Sequence, residues 1–178
     1  MKKSVLLLFF AGCVATGIFG IGRKIPMNRV NDLGQREGYW RDSLGEGITH
    51  ELYYKGGKKD GLYKRFYRNK LFLFGEYTAD NMSGTWYMFG DEGELRCTID
   101  SIEFNKDSIY TGYPCCRIFC KYKCYCADYY PSGAVKSEGY MVCDEDFMVD
   151  FWEIGEWKYY DESGNLIKTK DYGDRRTP

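Results

Sequence analysis

Histidine is all but missing from this chain: His50 is the single one in 178 residues. It stands in a strand-like stretch before Glu51 and Leu52, with no identifiable nucleophile beside it, which is the setting of a structural or exposed side chain rather than a catalytic base. No Gly-x-Ser-x-Gly elbow occurs, and Ser43 and Ser83 fall in turn-like contexts. No glycine-rich strand–loop–helix segment is present to cradle a phosphate. There is no Cys-x-x-Cys knuckle of the kind zinc and iron–sulfur sites use. Charge of one sign is lacking as well: 25 basic residues against 26 acidic ones leave a formal net charge of −1. That balance removes the electrostatic footprint of a general nucleic-acid binder. Together these absences argue against an enzyme, and neither a cofactor nor a metal is expected.

What the chain has is a repeat. Gly38, Gly61 and Gly84 are spaced 23 residues apart, and each opens an aromatic stretch: Gly38-Tyr39-Trp40, Gly61-Leu62-Tyr63, Gly84-Thr85-Trp86. Gly155-Glu156-Trp157 is a further copy. A second aromatic follows three residues later in Phe66, Phe89 and Tyr160. A turn glycine comes seven residues after the first aromatic (Gly47, Gly93, Gly164), and Phe72, Leu95 or Leu166 comes nine after it, with Thr49 in the first copy. Tyr54 and Tyr77 each precede the next copy's glycine by seven. Self-similarity at this period means one small supersecondary unit copied along the chain.

Each copy reads as a β-hairpin. Runs rich in Tyr, Trp and Phe suit strands, while Asp91-Glu92-Gly93 and Glu162-Ser163-Gly164 suit the turns. Glycine at each junction permits a positive φ or a close backbone approach. A single hairpin is marginal in water, so several must align to bury a shared aromatic face. The expected fold is therefore all-β, an elongated, twisted meander of antiparallel hairpins over residues 38–172. With 17 tyrosines, 11 phenylalanines and 4 tryptophans, such a thin sheet packs rings while keeping hydroxyls wet.

The Gly-x-Trp-x-x-aromatic frame with Gly and Leu downstream resembles the MORN-repeat variant of bacterial proteins named the YwqK-like antitoxin family. Trp157-Lys158-Tyr159-Tyr160-Asp161-Glu162-Ser163-Gly164-Asn165-Leu166 carries the likeness best. Tyr53-Tyr54-Lys55-Gly56-Gly57-Lys58-Lys59-Asp60-Gly61 resembles the family's joint between copies. The resemblance covers residues 38–100 well and 123–172 in patches. It implies repeated hairpins in an extended sheet and carries no catalytic residues with it, because fold analogy does not establish function.

The chain starts with Lys2 and Lys3, then Val5-Leu6-Leu7-Leu8-Phe9-Phe10, with no charge until Arg23. A basic segment before an apolar stretch has the form of an export signal, so residues 1–22 are assigned to a signal peptide or membrane anchor and 23–37 to a linker. Three routes fit. Phe10-Ala11-Gly12-Cys13 resembles a lipobox with Cys13 as the lipidation site, although Phe10 stands where Leu is usual. Cleavage after small residues near Ala15-Thr16-Gly17 is the second. Retention as an anchor is the third, since Val5–Gly22 is close to the shortest span that crosses a bilayer. All three place the folded part outside the bacterial cytoplasm, in the cell envelope.

Eight cysteines are present, and Cys115, Cys116, Cys120, Cys124 and Cys126 crowd together between Cys97 and Cys143. On a strand Ile118, Cys120, Tyr122, Cys124 and Cys126 share one face, where thiols serve as small apolar residues. Export permits disulfides, with Cys97 or Cys143 as partners on neighbouring strands. Gly84 to Gly155 spans about three periods, so degenerate copies are expected between them, and Tyr129-Tyr130-Pro131-Ser132-Gly133-Ala134-Val135 is one such segment. Asp144, Glu145, Asp146 and Asp150 lack the glycine of a calcium loop, and residues 173–178 read as a loose tail.

Two functions fit these residues. One is a non-enzymatic envelope module that presents an aromatic sheet surface to a protein or a glycan. The other is a membrane-surface structural protein whose basic run Lys55, Lys58, Lys59, Lys64, Arg65, Arg68 and Lys70 meets anionic headgroups. Neutralisation of a toxin follows from the family resemblance alone.

Overall fold

The computed structural model describes residues 26–106, 110–111, 118–144 and 151–173, with backbone alone at 110–111 and 118–119. The leader with Cys13, Cys115, Cys116, the acidic stretch 145–150 and the tail 174–178 lie outside the described residues.

The strands are β1 (Arg29–Val30), β2 (Arg36–Gly45), β3 (Ile48–Lys55), β4 (Lys58–Tyr67), β5 (Lys70–Thr78), β6 (Asn81–Phe89), β7 (Leu95–Phe104), β8 (Tyr110–Thr111), β9 (Ile118–Phe119), β10 (Tyr122–Tyr129), β11 (Val135–Cys143), β12 (Phe151–Tyr160) and β13 (Leu166–Asp171). All but β8 and β9 form one open antiparallel sheet in chain order, β7 pairing directly with β10. β8 and β9 pair with each other. The all-β meander expected from the repeat is the fold. The sheet starts before the first repeat glycine: Arg29 and Val30, in the segment read as linker, pair with Glu37 and Arg36.

Two kinds of turn connect the strands. Glu46-Gly47, Gly56-Gly57, Arg68-Asn69 and Ala79-Asp80 are two-residue loops with positive φ at both positions. That conformation matches the twist of the flanking strands. Loops 31–35, 90–94, 130–134 and 161–165 are wider and share one hydrogen-bond pattern. In each, the first residue's N–H donates to the fifth residue's carbonyl, and a glycine N–H donates back to the first carbonyl. The loop Tyr130–Ala134 shows that β10 and β11 are the degenerate copy. Neighbouring copies also join through their turns: the Gly57, Arg68 and Asp80 amides donate to the carbonyls of Arg36, Gly47 and Lys59, each 21 positions earlier.

The repeat glycines sit where the ladder slips. Gly61, Gly84 and Gly155 lie at register breaks opposite β3, β5 and β11, and all have positive φ. These are β-bulges, in which one strand carries extra residues and twists more strongly. The bulge turns the aromatic two positions on toward the core. Trp86 lies over Gly75, where a Cβ would come within 2.1 Å of the indole, and Trp157 lies over Gly139, where it would come within 2.5 Å. The frame's tyrosine then packs edge-on against its own copy's aromatic: Tyr54 with Trp40 at 6.0 Å between centroids, Tyr77 with Tyr63 at 5.7 Å.

One face carries the main core: Leu52, Tyr63, Leu73, Tyr77, Met82, Trp86, Ile99, Tyr122, Met141 and Trp157 are all buried, with the thiols of Cys97, Cys124, Cys126 and Cys143 among them. Cys120 corrects the single-face reading of the cysteines. It precedes β10 and packs with Val142, Ile154 and Trp152 on the opposite face. The break in the strand at Cys120-Lys121 ends the alternation on which that reading depended.

Candidate functional site

The core face is concave. Phe72 on β5 and Trp157 on β12 are five strand steps apart, roughly 24 Å in a flat sheet at ~4.8 Å per strand, yet both line one groove of about 640 Å³. Tyr122 closes the curl from within: its hydroxyl reaches over β7 and accepts a hydrogen bond from the Met82 amide of β6 at 3.1 Å. Aromatic walls come from Phe72, Tyr129, Phe151, Trp157 and Tyr159, and charge from Asp128, Lys136 and Glu153. Phe151 is half exposed, at 48 %.

The repeat frame marks out one residue of the groove's lining. Counted from the turn glycine, position −7 holds Trp40, Trp86 and Trp157 in the copies ending at Gly47, Gly93 and Gly164; for Gly133 it holds Cys126. Position −9, a positive-φ glycine in those copies (Gly38, Gly84, Gly155), is Cys124. A thiol thus stands where other copies place an indole, and Cys126 lies in the lining of the groove.

Below the groove the thiols meet in pairs. Cys97 lies opposite Asp128 and Ile99 opposite Cys126 in the β7–β10 register, so the two sulfurs approach diagonally, to 3.2 Å. Cys124 and Cys143 are arranged the same way across β10 and β11, at 3.6 Å. Both neighbours named for the cysteine strand, Cys97 and Cys143, are therefore brought to it. The sulfurs of Cys97 and Cys126 and a carboxylate oxygen of Asp128 all lie within 4.8 Å of one another. Ser137 donates its hydroxyl to Asp128 Oδ2 at 2.9 Å, fixing the carboxylate. Contact with Cys97, burial and the Asp128 charge hold the Cys126 thiol far above its ordinary range, and contact with Cys143 together with burial does the same for Cys124. Both are therefore protonated at neutral pH and poor nucleophiles.

At the other end of the face, His50 is partly buried rather than exposed. Its Nε2 lies 3.3 Å from Asp42 Oδ2, and Arg36 bonds the same oxygen at 2.7 Å and the Tyr54 hydroxyl at 3.0 Å. The His50 ring meets Tyr63 edge-on at 5.9 Å. Burial, first, with help from Arg65 and Arg36 and against the pull of Asp42, lowers the imidazole below its ordinary value. The basic run from Lys55 to Lys70 is divided. Arg65 bonds the Tyr63 hydroxyl on the core face, its neighbour Lys64 points the other way, and Lys70 reaches Asp91 and Glu92 at a turn.

The structure brings the repeat residues Trp40, Tyr63, Trp86 and Trp157 to one face as core aromatics, while Gly38, Gly61, Gly84 and Gly155 take positive φ two positions before them in the strands. Of these only Trp157 reaches the groove. Asp128, Gly75 and Gly139 were missed. Asp128 follows Cys126 by two, so the strand alternation that grouped the cysteines would have found it. Among the described residues, no helix is long and apolar enough to cross a membrane. Comparisons with protein-family models, with curated proteins and with solved structures return no match.

Proposed function

We propose that the protein is a non-enzymatic repeat module of the bacterial cell envelope whose concave aromatic face binds an extended polymer, a glycan chain or a peptide segment. The observation that carries this reading is the groove, where an array of aromatic walls is interrupted by both signs of charge. Aromatic faces stack on sugar rings and apolar side chains alike, and convergent polar groups in a largely preformed cleft fix orientation. The resemblance to the MORN-repeat variant frame and the basic-then-apolar leader support the repeat and envelope parts. The membrane-surface reading gains nothing comparable, because the lysines and arginines it needs are split between faces and turns.

Trp157 in the groove gives the test its signal. Tryptophan fluorescence is followed while the full chain is titrated with cell-wall oligosaccharides in one series and extended peptides in another, and the change is assigned to Trp157 among the four tryptophans by its loss in Trp157→Phe. Saturable change in one series, weakened at least tenfold by Tyr159→Ala, identifies the polymer class. No saturable change in either series removes the reading. The envelope assignment is tested separately by intact mass from native membrane and soluble fractions: a diacylglycerol-sized increment on a chain starting at Cys13, or loss of the leader, supports it, and an unmodified full-length chain in the cytoplasmic fraction refutes it.

A further inference from the structure

The degenerate copy places chemistry where its siblings place packing. In three other copies a tryptophan at the frame position fills the concave face; here Cys126 does not fill it, and Cys97 and Asp128 converge on the same point from the adjacent strand and from two residues on. The cysteines are 7 % and 5 % exposed, and all three residues line the groove, so the cluster has an apolar surround and an entry path. We propose that Cys97, Cys126 and Asp128 form a binding site for a thiophilic divalent cation of the zinc class, with its fourth position turned to the groove.

The donor set fits. Two sulfurs and one carboxylate oxygen are ligands zinc takes in tetrahedral sites, and three protein ligands leave one position for water or a bound molecule. Two Zn–S bonds of ~2.3 Å at a tetrahedral angle set the sulfurs about 3.8 Å apart. The pair at 3.2 Å needs only a small rotamer opening to reach this. The Ser137 hydroxyl on Asp128 Oδ2 is the outer hydrogen bond that orients a ligating carboxylate and leaves Oδ1 for the cation. Binding balances as the exchange of two thiol protons for one cation: the sulfurs enter as thiolates, two protons leave to solvent, and no electron moves. The cation, with two thiolates and a carboxylate, leaves the site with one net negative charge where the carboxylate alone had one. The buried charge is therefore not increased. Cys124 and Cys143, a step further along the strands, lack a carboxylate in such a cluster and remain packing residues. This site does not depend on what polymer the groove holds.

The probe is Co²⁺, which reports thiolate ligation by a sulfur-to-metal charge-transfer band and tetrahedral geometry by intense visible absorption. The full chain, reduced and kept under nitrogen, is titrated with Co²⁺ and then with Zn²⁺. The expected result is one equivalent bound, with both absorptions, displaced by one equivalent of Zn²⁺. Asp128→Asn keeps the shape of the side chain and weakens Co²⁺ at least tenfold; Cys97→Ser removes one of the two thiolates and lowers the charge-transfer band to about half or less; Cys143→Ser keeps it in full. Near-UV circular dichroism of the tryptophans verifies that each variant is folded. Zn²⁺ also raises the thermal midpoint of the wild type and leaves that of Asp128→Asn nearly unchanged. A folded, reduced wild type without a charge-transfer band overturns the site, as does a band undiminished in Cys97→Ser or lowered in Cys143→Ser.

Discussion

His50 shows how a residue that looks inert in sequence becomes a titratable part of the sheet. Its ring is held between the Tyr63 edge and the Asp42 carboxylate, and burial keeps it below its ordinary value. The unfolded chain therefore binds the His50 proton more readily than the folded one. This contribution to stability is complete above the unfolded value, about 6.5, and is lost as pH falls through the lower folded value. Urea unfolding from about pH 8 to about pH 5 measures it. The wild type is expected to lose more stability over that interval than His50→Gln, other titrating groups being common to both. Equal losses would show that the ring is protonated without penalty in the fold.

At the scale of elements, Trp86 and Trp157 each depend on an empty position on the neighbouring strand. Gly75 is the space in β5 into which Trp86 of β6 descends, and a methyl group there would meet the indole at 2.1 Å. Because the obstacle is a buried ring braced by Tyr63 and Tyr77 at 5.5 and 5.1 Å, it has nowhere to swing. Gly75→Ala is expected to cost about 3 kcal/mol, the upper end of overpacking, read as a lower urea midpoint. The cost should shrink in a Trp86→Leu background, the signature of two residues sharing one volume. A Gly75→Ala protein as stable as wild type would mean the bulge relaxes freely. These pairs mark the boundary of what the sequence discloses. The period of 23 and the turn glycines were legible because each copy bends its own backbone through positive φ, at Gly47 in a two-residue loop and at Gly93 and Gly164 in five-residue ones, and local φ requirements leave local residues behind. Gly75 and Gly139 were not legible: neither belongs to the frame, and each is required only by a ring on the next strand. The groove was hidden for the same reason. Cys126 reads as one more member of a cysteine strand until its distance to Gly133 reveals that it occupies a tryptophan's place. Cys120 was misplaced because alternation holds only within an unbroken strand.

For the whole molecule, a meander in which each strand touches only its sequence neighbours should behave as a one-dimensional array, fraying from its ends. β13 fits that description, with all six residues exposed. The middle does not, because Tyr122 crosses β7 and ties β10 to β6 through the Met82 amide. That bond skips a strand, so it joins the regular N-terminal copies to the degenerate copy beside the groove, and it is expected to help hold the concave face. Tyr122→Phe keeps the ring and removes the acceptor from a buried N–H, an expected loss of about 1–3 kcal/mol. Native-state hydrogen exchange separates this coupling from a uniform weakening. Protection should fall at Met82 and along β6, β7 and β10, while the β2–β3 amides, four or more strands from Tyr122, keep theirs. If Met82 stays as protected as in the wild type, the hydroxyl is a bystander, and the curl must be a property of the bulges alone.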